Sequence, residues 1–276
     1  MFLSELKKYA PMALLDLGAS DLDGEPVYAP LLKIYPYTLI GFEPQEEEYQ
    51  KLVGKSNPNQ IYFPYALGDG KTHILHICAA PGMTSIFEPD PEQLSLYPGF
   101  SEWGKVLAQK SIQTTRLDDI EGLPILDFVK ADVQGAELMI FESGRKVLED
   151  VLVLHVEVNF SPFYKHQPLF SDVDAFLRSL GFQFHFFQHI NRRMILPLMY
   201  ASDPYRGLNH SIWVDAVYVR NIMNWSALPP EKLKKISALM HGLYQSYDLS
   251  MRALWYYDEK EKTDWNKWYQ MQIRKK

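Results

Sequence analysis

Five apolar runs in this 276-residue chain end in an acid, and the ends of buried strands are where an open α/β sheet meets its ligand. Asp16 closes "MALLDLG", Glu43 closes "YTLIGFEP", Asp69 closes "QIYFPYALGDG", Asp132 closes "LDFVKADVQG", and Glu157, followed by Asn159, closes "VLVLHVEVNF". Five such acids are more than solubility requires. After Asp16, Gly18 and Ala19 let the backbone come close to a ligand, which larger side chains would prevent. The next glycine, Gly24, stands behind "SDLD". Acid in that loop would repel a pyrophosphate while tolerating a cation or zwitterion. Glu43 follows Gly18 by 25 residues, at the end of the next strand, where an acid would accept both hydroxyls of a ribose. Ribose recognition together with tolerance of a cation points to S-adenosylmethionine, a nucleoside bearing a sulfonium, rather than to NAD.

These acids need a scaffold, and the hydropathy pattern supplies one. "MALLDLG" and "YTLIGFEP" read as buried strands, with helical stretches near "VYAPLLKIY" and over "QEEEYQKLV". "QIYFPYALGDG" reads as a third strand, "KTHILHICA" as an edge strand or hairpin partner, and Ala80 to about Ser101 as a loop. Next come the strand "LDFVKADVQG", the helix "AELMIFESGRKVLE", the strand "VLVLHVEVNF", the helix "SDVDAFLRSL" and the β-rich pieces "GFQFHFFQH" and "SIWVDAVYVR". Near-continuous apolar strands alternating with helices indicate a mostly parallel sheet covered on both faces, with the two late strands as an antiparallel edge. Leu233, Ile236, Met240, Leu243, Tyr247, Met251 and Leu254 recur at helical spacing. The expected organisation is therefore a domain over 1–221 and a C-terminal helical extension over 222–276. That extension, rich in Trp and Tyr, reads as a cap on the domain, a homodimer or partner surface, or a membrane-surface helix.

A net charge of −6 gives no basic footprint for nucleic acid. The single cysteine, Cys78, rules out an internal disulfide framework, fits a reducing compartment, and reads as a small core residue. The N-terminus does not read as a signal peptide, and no uncharged apolar window approaches the ~18 residues of a transmembrane span. A cytoplasmic location is expected.

Taken in order, "LDLGAS", "IGFEP", "ALGDG", "GMTSIFEPD", "TTRLDDI", "DFVKADVQGAELMIFESG", "HVEVNFSPFY", "QPLF" and "DAVYVR" resemble the FkbM-type methyltransferases. These are Rossmann-like, S-adenosylmethionine-dependent enzymes of class I fold, and the likeness runs from Leu14 to Arg220. The family usually has "GAN-x-G" or "GA-x-GG" where this chain has "GASDLDG". By resemblance, Asp16, Gly18, Ala19 and Ser20 would cradle the methionine part of the cofactor. Glu43 with Pro44 would hold the ribose, and Ala66, Leu67 and Asp69 would lie near the adenine. Asp132 and Gln134 would face the transferable methyl group or the acceptor. The acceptor implied is a hydroxyl on a sugar, glycan or other secondary metabolite.

A hydroxyl acceptor must lose its proton, which calls for a base or a metal. Asp132, Glu157 and His155 are the candidates, although His155, inside a buried strand, also reads as a hydrogen-bonded core imidazole. Asp132, Glu157 and Asn159 form an oxygen-donor set of the kind Mg²⁺ prefers. Thr84 and Ser85 lie in a loop over the acceptor pocket, and Tyr164, His166 and Gln167, past the fifth strand, are placed to line it. His185 and His189 read as sheet-face residues. Two rival readings remain: a nucleotide-dependent oxidoreductase, against which the acidic first loop argues, and a catalytically silent subunit that assembles through its aromatic C-terminal helices.

Overall fold

Apolar, β-branched runs become strands and their amphipathic neighbours become helices. The computed structural model describes residues 11–18 and 25–274. Strands β1 (Met12–Leu17), β2 (Tyr37–Phe42), β3 (Gln60–Phe63), β7 (Phe128–Ala131) and β8 (Val153–Asn159) are parallel. With β9 (Phe182–Arg192) and β10 (Ser211–Arg220) they form one sheet in the order β3-β2-β1-β7-β8-β10-β9, in which β10 runs antiparallel to both of its neighbours. The order turns between β1 and β7, so the switch point lies there.

A smaller sheet holds β4 (Ala66–Leu67), β5 (Thr72–Cys78) and β6 (Val106–Thr115) in the order β4-β6-β5. Its existence corrects two expectations. "QIYFPYALGDG" is not one strand: Pro64, which has no N–H to give a ladder, separates β3 from β4. β6 went unread because most of its ten residues are exposed on both faces and leave no alternation to see. The helices are α1 (Ala29–Leu32), α2 (Glu46–Lys55), α3 (Pro91–Leu94), α4 (Phe100–Trp103), α5 (Glu137–Ser143), α6 (Arg145–Leu148), α7 (Phe170–Ser179), α8 (Pro230–Tyr244), α9 (Tyr247–Glu261) and α10 (Trp265–Ile273). The single helix expected over 136–149 is two, broken at Gly144, where a Cβ would lie 2.5 Å from Leu117 Cδ2.

Each face of the large sheet has its own core. On one, Leu15, Leu17, Val129, Ala131, Leu154 and Val156 meet Ile140, Phe141, Leu148, Val173 and Leu177 of α5, α6 and α7. On the other, Met12, Leu14, Phe128, Val153, Val217 and Val219 meet Trp225 and the α8–α10 residues Leu233, Ile236, Leu239, Met240, Leu254 and Tyr269. The C-terminal helices thus form the second layer over the sheet, with Tyr257 and Tyr269 buried in that core. Asp127 fastens them. Its buried carboxylate accepts from Ala13 N at 2.9 Å and pairs with Lys235 of α8 at 2.7 Å. Among the described residues no helix is long and apolar enough to cross a membrane.

Leu239 is fully buried between α8 and the sheet, so Leu239→Ala should cost about 2–5 kcal/mol. The loss should appear as a lower urea midpoint with an unchanged m-value. A loss below about 1 kcal/mol would mean that the helices are not part of the core.

Candidate active site

Two clefts open above the switch point. The first is lined by Gly18, Glu43, Pro44, Ala66, Leu67, Thr84, Ser85, Asp132 and Gln134, all among the residues singled out in the sequence. Phe42, Leu75, Ile86, Ile112 and Ile140 add apolar walls. Glu43, at the end of β2, is buried and accepts from Gln45 N at 2.7 Å through Oε1, leaving Oε2 to the cleft. Burial pushes its carboxyl up to about 7; the Gln45 amide works against that rise and Glu48 adds to it. Gly18 has φ +85°, and a Cβ there would fall 2.0 Å from the Asp132 carbonyl oxygen, so only glycine lets β1 end this close to β7.

The turn after β7 is built around a buried carboxylate. Glu137 Oε1 accepts from Val133 N at 2.9 Å and Gly135 N at 3.3 Å. Burial raises its carboxyl to about 7, against those amides and with a push from Asp132. Gln134 and Gly135 both have positive φ, +53° and +97°. For a non-glycine residue this costs roughly 1–3 kcal/mol and needs support from its surroundings. Gln134 has that support. Its carbonyl accepts from Ser85 Oγ at 2.6 Å, its Oε1 from Tyr164 Oη at 3.3 Å, and its Nε2 donates to Asp132 Oδ1 at 3.0 Å.

The second cleft lies on the sheet face that α8–α10 leave open. Its floor carries Asp16, Lys130, Asp132, His155, Glu157 and Asp215. Asp16 accepts from Tyr28 Oη, and Lys130 stands 3.7 Å from Asp16 and 3.6 Å from Asp132. Glu157 is pushed well above the ordinary carboxylate range by burial, and Asp132, Glu137 and Asp215 reinforce the shift against Lys130. Burial would also raise Asp215, but the His155 and His189 imidazoles overcome it and hold that carboxyl below its ordinary value. The distances to Asp215 Oδ2 are 3.5 Å from His155 Nε2 and 3.1 Å from His189 Nδ1. His155 also meets Tyr244 Oη through Nδ1 at 3.2 Å. The two clefts share Pro81, Gly82, Asp132 and Gln134, which marks the point where they join.

Several expected positions fall elsewhere. Ala19 and Ser20 lie outside the described residues. Asp16 lines the second cleft and not the first. Asp69 lines neither, because its carboxylate is taken by His73 Nε2 at 2.7 Å and Lys71 Nζ at 3.1 Å. Those partners outweigh burial and hold its carboxyl well below the usual range. Asn159 is buried and lines neither cleft. Tyr164 and Gln167 are buried too, and they act on the site through other residues. Tyr164 Oη donates to Met83 O as well as to Gln134, and Gln167 Oε1 accepts from Phe163 N at 2.8 Å. His166 sits in the same turn, at φ +60°.

His189, read from the sequence as a sheet-face residue, comes to the cleft through an irregularity in β9, and Lys130, Asp215 and Arg193, which the sequence did not single out, line that cleft too. Asp215 pairs with Gln188 but Trp213 with Asn191, so β9 holds an extra residue there and the register shifts. His189 itself has φ +52°. This bulge turns the imidazole onto the face of Asp215, where strict alternation would not put it. His185 stands at a second register shift and instead bonds Ser246 Oγ at 2.8 Å.

The metal set suggested by the sequence does not fit. Among the described residues no three His, Cys, Asp or Glu side chains are arranged to hold an ion. Asp132 already faces the Lys130 ammonium, burial disfavours charge on Glu157, and Asn159 lines neither cleft.

An open α/β sheet whose order turns between its first and fourth parallel strands, with two clefts joined above the turn, is a Rossmann-like fold with its clefts where such sheets take their ligands. The family model of the methyltransferase FkbM domain matches residues 22–184, more than half of the chain, and the chain belongs to that family. It is an S-adenosylmethionine-dependent methyltransferase. Solved structures with a similar fold include magnesium protoporphyrin IX methyltransferase of Synechocystis PCC 6803 with bound SAM, at 12% identity over 80% of this chain and 75% of that one, TM-score 0.38. A protein of the NADB-Rossmann superfamily from Streptococcus agalactiae has 13% identity over 99% and 93%, TM-score 0.38. The plantazolicin methyltransferase in complex with SAH has 12% identity over 80% and 81%, TM-score 0.37. No curated protein matches the chain.

Glu137 is protonated in the fold up to about pH 7 but only to about 4.5 when unfolded. Its contribution is therefore fully present below about 4.5 and is lost as pH rises through about 7, by up to about 3 kcal/mol. The ligand-free protein should accordingly melt lower near pH 8 than near pH 5, roughly speaking. Glu137→Gln, which keeps the acceptor oxygen, should flatten that slope, and an unchanged slope would contradict the assignment.

Proposed function

We propose that the enzyme transfers a methyl group to a hydroxyl of a sugar, glycan or other secondary metabolite, with the cofactor in the first cleft and the acceptor in the second. The observation that carries this reading is the junction of the clefts at Asp132 and Gln134, beside two imidazoles that share the Asp215 carboxylate. The first cleft fits the cofactor chemically: a carboxylate with a spare oxygen at Glu43, apolar walls, and close backbone at Gly18. S-adenosylmethionine supplies an electrophilic methyl group on a sulfonium.

The residues of the chain would divide the work as follows. Glu43 accepts the ribose hydroxyls. Leu67, Ile86 and Ile112 enclose the base. Asp132, aligned by Gln134 and Lys130, offers negative charge near a cation. Since transfer is in line, positioning of the acceptor by these walls supplies much of the acceleration. Glu157, whose burial favours the neutral carboxyl, lines the floor of the acceptor cleft as a hydrogen-bonding group. Both ring nitrogens of His155 are engaged, by Tyr244 and Asp215. His189 is 66% exposed at its side chain; Asp215 orients its Nδ1, and among the described residues only the Gln188 amide reaches its Nε2, at 3.5 Å. It is the group best placed to take the hydroxyl proton.

Two outcomes are expected. Calorimetric titration with S-adenosylhomocysteine should give saturable binding that strengthens as pH rises through about 7, as Glu43 ionises. Glu43→Ala should weaken it at least tenfold or so, and an undiminished affinity would exclude the ribose role. His189→Gln should lower kcat by about 10²–10⁴ while leaving that affinity unchanged. A full kcat in this variant would remove His189 from the reaction.

A further inference from the structure

The far wall of the second cleft is aromatic, formed by Phe100, Trp103, Phe163, Tyr205 and Trp213, with Arg193 among them. The Arg193 guanidinium carbon lies 4.9 Å from the Trp213 ring centroid, 5.5 Å from that of Tyr205 and 5.9 Å from that of Phe100. Arg193 is only 8% exposed. Its Nη1 donates to the carbonyls of Arg192 at 2.9 Å and Tyr205 at 3.5 Å, whereas the buried Nε has no acceptor. No carboxylate of the described residues pairs with it. Arg220, half-buried and also without a carboxylate partner among the described residues, satisfies Nε, Nη1 and Nη2 with the carbonyls of Val151, Leu180 and Leu148, whereas Arg193 leaves its Nε without an acceptor. The cleft's own carboxylates are committed elsewhere, Asp132 to Lys130 and Asp215 to two histidines. Burial draws the guanidinium pKa downward, and Tyr205 and Asp203, the latter not paired with it, do not offset the shift, as fits a cation that lacks a direct anionic partner.

We propose that Arg193 binds a carboxylate carried by the acceptor, so that the enzyme methylates hydroxylated carboxylic acids. The inference rests on the methyl-transfer reading above and adds the charge of the substrate. Nε and Nη2 share one edge of the planar fork, and two parallel donors on that edge match a carboxylate. Asp132 and Asp215 would repel a dianionic phosphate about twice as strongly as a carboxylate at the same place. Trp213, beneath the guanidinium, is two residues along β10 from Asp215, or ~7 Å. One sugar or phenol ring spans that interval, with its hydroxyl at His189 and its carboxylate at Arg193.

The test is calorimetric titration of the full chain saturated with S-adenosylhomocysteine. The probes are 4-hydroxybenzoate against 4-hydroxybenzamide and D-glucuronate against D-glucuronamide, which separate a phenol from a sugar as the source of the acid. At least one acid should bind about tenfold or more tightly than its amide. Arg193→Met should erase that preference, Arg193→Lys should keep part of it, and both should bind S-adenosylhomocysteine like the parent, which also shows that they fold. Equal binding of acid and amide, no binding by either acid, a preference that survives Arg193→Met, or equally strong competition by inorganic sulfate would each overturn the proposal. If S-adenosylhomocysteine fails to bind, the cofactor reading falls instead, and the same acid–amide series without it still decides the role of Arg193.

Discussion

A charged side chain cannot be roofed by an apolar helix without losing several kcal/mol of hydration, and that restriction divides one face of the large sheet in two. Along β1 the face runs Met12, Leu14, Asp16; along β7, Phe128, Lys130, Asp132; along β8, Val153, His155, Glu157; along β10 in reverse, Val219, Val217, Asp215. The helices α8–α10 cover the apolar halves and stop where the polar halves begin. The second cleft is what they leave. Tyr244, in the last turn of α8, stands at this frontier with its hydroxyl on His155.

The turn from Asp132 to Glu137 connects the two clefts mechanically. Its backbone is strained at Gln134, and the strain is held by Ser85 from one side and Tyr164 from the other. Those contacts tie the loop before α3 and the loop after β8 to the same few atoms. A change at Ser85 or Tyr164 would therefore be felt where the clefts join, although neither side chain need touch the transferred group.

Much of this was legible in the sequence. Buried parallel strands declare themselves by continuous apolar runs, and Glu43, Gly18 and Asp132 declare themselves by closing those runs. β6 did not, because a strand in a small exposed sheet has no buried face to pattern. Asp69 misled because a strand-end acid reads alike whether it faces a ligand or, as here, a neighbouring Lys71 and His73. His189 was hidden for another reason: alternation assumes an unbroken ladder, and one extra residue in β9 reverses the inference. Arg193 gave no signal at all, since the rings around it come from distant segments.

The second layer of the sheet also sets the order in which the chain can finish folding during synthesis. Asp127 waits for Lys235, 108 residues further on, and the face bearing Met12, Leu14 and Val153 stays bare until α8 and α9 leave the ribosome. Until then a nascent chain presents a wide apolar sheet to its surroundings, a state prone to aggregation.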